Sequence, residues 1–274
     1  MKKTVINFAL FAFALLVVFL SVFGPEAITS YKDKSILNQI QIQEVENEGQ
    51  GYRYRLSNNE KLFLLSECLN SQTVPESDQS ALTRDSASQY QDMMGTYAFV
   101  LNRNGPSEQE ISDEEIYETC NGQLAVLKEL GILPDEVMEV RDTSHEAILY
   151  SAIDILEPRN NVAVWKLSLV SSHKTANKVN RLLDAYIDAD DGKIYEFYVR
   201  TEKKWEEIDA DALIEAWSSY MGLNGGEPYE SENPLLETTP YYKKYVFPGI
   251  GEETCIVTVG YYEGIGELFL KISK

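Results

Sequence analysis

The spacing of apolar residues divides the chain into segments of helical and strand-like period. Leu62, Leu65 and Leu69 recur at helical spacing behind Ser57 and Glu60, an S-x-x-E pair that predicts a capping box. Ser112 and Glu115 repeat that signature before Ile116, Cys120, Leu124, Leu127 and Leu130, and Gly131 with Pro134 predicts the end of this second helix. A third helix is expected over 209–221, with Leu213, Ala216, Trp217, Tyr220 and Met221 on one face. Elsewhere the period falls to two. Trp165, Leu167 and Leu169 alternate with polar neighbours, as do Leu183, Ala185 and Ile187, and then Tyr195, Phe197 and Val199. Asp191-Gly192 between the last two runs predicts a tight hairpin, because a two-residue turn of this kind needs positive φ. Further strands are expected at 96–102, 241–247, 254–261 and 266–272.

These elements predict an α+β fold in which helices pack on antiparallel meander sheets. Helix followed by three strands occurs twice, giving two helix-plus-three-strand units at 111–200 and 201–274. Between the helices, 70–92 and 222–240 are poor in large apolar groups or rich in Gly and Pro, and are expected to be flexible. The 25–110 region is expected to be the juxtamembrane and N-terminal part of an ectodomain, with the membrane anchor preceding it.

The N-terminus follows a different pattern. From Val5 to Gly24 no ionisable side chain occurs, which is about the length a helix needs to cross the hydrocarbon core. No A-x-A cleavage site follows it, and Pro25 stands directly after the best alternative triplet. The expectation is one N-terminal transmembrane helix at 5–24, a single-pass signal anchor with a cytoplasmic stub at 1–4. Lys2 and Lys3 orient the short end to the cytoplasm and put the remainder outside the cell membrane.

Charge then narrows the function classes. The chain of 274 residues has 44 Asp and Glu against 24 Lys and Arg, a net −20. A chain so acidic argues against nucleic acid as a partner, since phosphate recognition needs a basic face. Cys68, Cys120 and Cys255 show no C-x-x-C spacing and are read as buried small apolar residues; should the compartment be oxidising, spacing does not choose which pair joins.

Run by run, the chemistry-bearing motifs give no catalytic, cofactor-binding or metal residues. His145-Glu146 lacks the second histidine of a zincin helix, as Leu149 stands in its place. Ser171 to Lys174 satisfies S-x-x-K, without the accompanying motifs of that enzyme class. Asp188, Asp190 and Asp191 invite a calcium reading, but Ile187 and Ala189 occupy ligand positions, so a hairpin turn accounts for them better. Tyr241, Tyr242, Tyr245, Tyr261 and Tyr262 offer either a sugar- or peptide-binding face or ordinary strand packing.

The run Ile187-Asp188-Ala189-Asp190-Asp191-Gly192-Lys193-Ile194, within 164–199, resembles the second half of a PepSY-type module. The layout of an N-terminal helix and an outer α+β region is similar to that of membrane-anchored extracytoplasmic regulators of the YycI type. Both resemblances imply a regulatory or inhibitory binding role at the envelope, and neither carries over a catalytic residue. The expected function is therefore a membrane-anchored, non-catalytic binding or regulatory protein with a protein partner, a strand edge at 266–272 receiving that partner. A hydrolase using paired carboxylates and a passive structural component are the alternatives.

Overall fold

The computed structural model describes residues 55–71, 96–170, 181–231 and 237–274, all within the second of the chain's two compact units, 49–274. In chain order the elements are α1 (Asn58–Ser71), β1 (Tyr97–Leu101), α2 (Ile116–Glu129), β2 (His145–Asp154), β3 (Asn161–Leu169), β4 (Leu182–Asp188) and β5 (Ile194–Arg200). A single 3-10 turn (Trp205–Glu207) leads to α3 (Ala210–Met221), β6 (Glu227–Tyr229), β7 (Tyr241–Pro248), β8 (Thr254–Tyr262) and β9 (Glu267–Ser273).

The helix starts follow the sequence signals. Ser57 Oγ accepts from the Glu60 N–H at 3.3 Å while Glu60 Oε2 accepts from the Ser57 N–H at 2.7 Å, a reciprocal box. Ser112 and Glu115 exchange the same two bonds at 3.3 and 3.4 Å before α2. Asp209 caps α3 by accepting from the Ala212 N–H at 3.0 Å, and Gly222 ends it at φ 69°, a conformation that costs a side-chain-bearing residue strain. Leu130 alone leaves the expected α2 stripe, lying past the helix and largely exposed.

Helix α1 departs from the expected one-sided stripe. Leu62, Phe63, Leu64, Leu65 and Cys68 are all essentially inaccessible, so the helix is buried all round. It touches β1, β2 and β3 as well as β7, β8 and β9. The sheet therefore curls about this helix, which serves as a common core for both of its halves.

All nine strands form one antiparallel sheet, ordered β1-β2-β3-β4-β5-β9-β8-β7-β6. The expected α+β class with two helix-plus-three-strand units is thereby overturned: the described residues make a mainly β fold with three α-helices. After β5 the chain passes through α3 to the far edge and meanders back, so that β9 pairs with β5 from Phe197↔Leu270 to Arg200↔Glu267. Consecutive buried residues in both strands, Ile194 to Phe197 and Leu268 to Leu270, explain the union. Strands apolar on both faces are stable only inside a sheet. The edge expected at 266–272 is consequently a central strand with neighbours on both sides.

Two strands carry no clear period-two signal. In β2, Ile148 and Leu149 are adjacent and Ala147 and Ala152 are small, while β6 lies inside the supposedly flexible 222–240. Residues 72–95 and 171–180, with most of the expected 70–92 loop and the S-x-x-K run, are outside the described residues. So is the apolar run at 5–24. No helix among the described residues is long and apolar enough to cross a membrane. The membrane, single-pass and signal-anchor reading thus finds no support in the fold.

Candidate functional site

The acidic hairpin between β4 and β5 is the most polar feature near the core. Residues 189–193 connect the strands, longer than the two-residue turn expected, with Gly192 at φ 76° supplying the left-handed position. Asp188 is buried at the end of β4 and its oxygens are fully engaged. Lys61 Nζ donates to Oδ2 at 2.8 Å, Tyr195 Oη donates to the same atom at 2.6 Å, and the Asp190 N–H donates to Oδ1 at 2.7 Å. Lys61 also reaches Asp190 at 3.1 Å. Burial opposes the charge on Lys61, but Asp188 and Asp190 outweigh it and raise its pKa. The acids thus hold a lysine of α1, and among the described residues no group of His, Cys, Asp or Glu is placed to hold a metal.

A second polar wedge lies where β5 and β9 part. Beyond Phe197 the ladder stops, and side chains meet the unpaired backbone groups. Tyr220 Oη accepts from the Ile194 N–H at 2.9 Å, Trp217 Nε1 donates to the Ile194 carbonyl at 3.1 Å, and Glu196 Oε2 accepts from the Ile272 N–H at 2.9 Å. Burial pushes the Glu196 carboxyl up to about 7, with that backbone donor pulling the other way.

A cavity of about 470 Å³ opens at the start of β2 and β4, lined by Met138, Glu139, Arg141, Thr143, Ser144, His145, Arg181 and Leu182. His145 begins a strand rather than a zincin helix. Its Nε2 lies 3.0 Å from the Leu182 carbonyl, which only accepts, so that nitrogen bears the proton. Nδ1 meets Ser144 Oγ at 2.9 Å, and Ser144 Oγ lies 3.2 Å from the Arg141 carbonyl. Between Leu182 and Asp184 the register with β5 shifts, the kind of irregularity that re-aims side chains.

The remaining expected features are structural. Cys68, Cys120 and Cys255 are buried and none is joined in a disulfide, as their sequence spacing suggested, and burial pushes each thiol up to about 12. The five tyrosines do not share one face. Tyr241 stands opposite Tyr261, whereas Tyr242 stands opposite Gly260, and Tyr245 donates its hydroxyl to Asp211. At one end of this sheet region a cavity of about 440 Å³ lies between Tyr241 and Tyr262. Its polar groups bond one another, Tyr241 Oη donating to Glu263 at 3.4 Å and Thr239 Oγ1 to the Tyr261 carbonyl at 2.6 Å.

The sheet edges complete the inventory. Among the described residues strand β1 has a strand neighbour on one side only, and Val100 and Leu101 are 40% and 49% exposed; Ile155 and Leu156, beside its other end, are exposed too. Sequence reading missed this edge because β2, its partner among the described residues, lacked a period-two signal. Compared with family models, curated proteins and solved structures, the chain matches none.

Proposed function

We propose that this chain is a non-catalytic binding or regulatory protein that takes up an extended apolar segment of a protein partner along β1. The observation that carries the reading is the apolar, one-sided edge itself. An unpaired row of N–H and C=O groups templates an added strand, and Val100 and Leu101 offer apolar positions on both faces of it. The resemblance of 164–199 to a PepSY-type module supports a regulatory role. Placement at the cell membrane, with the C-terminal part outside, belongs to the same proposal; it rests on the sequence of residues 5–24 alone and is tested by protease accessibility on intact cells.

The binding test replaces Leu101 with a photo-crosslinking residue in the full chain and compares it with the same probe at Glu227 on the opposite edge. A discrete adduct from position 101 and none from 227 is expected. Equal labelling at both edges, or none at either, removes the reading.

A further inference from the structure

We propose that the cavity at the start of β2 and β4 binds a small oxyanion, a carboxylate or phosphate group held in the fork of Arg181. Arg181 is positioned by its backbone, since its carbonyl accepts from the Arg200 N–H at 2.9 Å just before the register shift in β4. Its Nε is buried with no hydrogen-bond partner. A buried donor without an acceptor is costly, and the structure otherwise meets its polar groups closely in this region, with the Leu182 carbonyl taken by His145 and Ser144 Oγ beside both His145 and the Arg141 carbonyl. An oxyanion is the ligand that satisfies Nε and a neighbouring Nη together, because two parallel oxygens match the guanidinium fork.

The local charge agrees. In a chain of net −20, the described residues of the cavity lining set Arg141 and Arg181 against a single carboxylate, Glu139. Glu139 lies 3.9 Å from Arg141 Nη2 with both side chains more than 70% exposed, so this pair is solvated and yields to a better ligand. Thr143 and Ser144 add hydroxyls to the lining. The volume of about 470 Å³ falls in the range of small-ligand sites rather than of a macromolecular groove. The site is separate from the β1 edge, which pairs with the far end of β2 from Tyr150 to Asp154.

Calorimetric titration of the purified full-length chain at low salt, with inorganic phosphate in one arm and succinate in the other, tests the assignment. Saturable binding of one equivalent is expected, and the tighter arm names the chemistry. Arg181→Gln should weaken it roughly tenfold or more, and Arg181→Lys should also weaken it because an ammonium lacks the fork. Arg141→Gln at the rim should cost about threefold, keeping the test open if position 181 tolerates no change. Arg103→Gln, on the exposed turn after β1 and outside the cavity lining, should leave affinity unchanged. Absence of binding in both arms overturns the proposal. So does an equal loss in Arg103→Gln and Arg181→Gln, which would show unspecific charge attraction.

Discussion

At one edge of the sheet, β1 is a five-residue strand with Val100 and Leu101 exposed; at the other, β6 has three residues, with Glu227 and Pro228 both exposed. Pro228 has no N–H to offer and Glu227 brings a charge, two devices by which edge strands avoid unwanted pairing. Both edges belong to one sheet curled about one helix, so the contrast does not arise from different stability of separate units. The β6 edge carries both devices and the described β1 edge carries neither, which is why the proposed partner strand is assigned to β1.

The largest test of this comparison is whether the two halves are one cooperative body. Leu64→Ala in α1 should cost about 4 kcal/mol, as a fully buried leucine leaves a cavity in the shared core. Urea unfolding followed at Trp165 and Trp217 should stay a single transition. Two separate transitions would mean that the edges belong to independent units.

Next in size is the bond between α1 and the β4–β5 hairpin. Asp188→Ala leaves the Tyr195 hydroxyl without its acceptor and Lys61 with only the more exposed Asp190 of its two carboxylates, and should cost about 3 kcal/mol, read from the urea midpoint. Combining it with Lys61→Met should recover a sizeable part, because removing both charges abolishes the incompletely paired one.

The seam between the halves responds to pH. Burial raises the Glu196 carboxyl from its ordinary 4.5 to about 7, so the folded chain holds that proton more tightly than the unfolded chain. Its contribution is complete below about 4.5 and is lost as pH rises through about 7. Glu196→Gln keeps an acceptor for the Ile272 N–H and should gain on the order of 2 kcal/mol over the native chain at pH 8 relative to pH 5. An unchanged difference between the two pH values would sink this account of the seam. The smallest effect on stability belongs to the edge itself. Leu101→Lys should shift the urea midpoint by less than about 0.5 kcal/mol yet prevent crosslinking from a probe at Val100, whereas Glu227→Lys should alter neither.

Much of the secondary structure was legible in the residues. Both S-x-x-E boxes and the Gly131 stop are local devices, their partners lying within a few residues. Strands β3, β4, β5, β7, β8 and β9 showed their alternation or their turn residues. Strand β2 did not, because Ile148 beside Leu149 and two small alanines blur the period. The cavity was less legible still. Arg181 and Arg141 stand forty residues apart and carry no spacing signal, and His145 attracted attention only for a motif it does not complete.

The stripe of Leu62, Leu65 and Leu69 in α1 was visible in the sequence, but not that Phe63 and Leu64 beside it are enclosed as well. The sequence by itself determined where helices begin and end and which strands form, because caps, turns and periodicity act over a few residues. The tertiary structure alone decided that β5 and β9 join two meanders into one sheet, that the strand at 267–273 is central, and that β1 and β6 are the edges. Those outcomes depend on which apolar faces find each other across some seventy residues of intervening chain, as between Phe197 and Leu270, and burial free energy has no direction along the sequence.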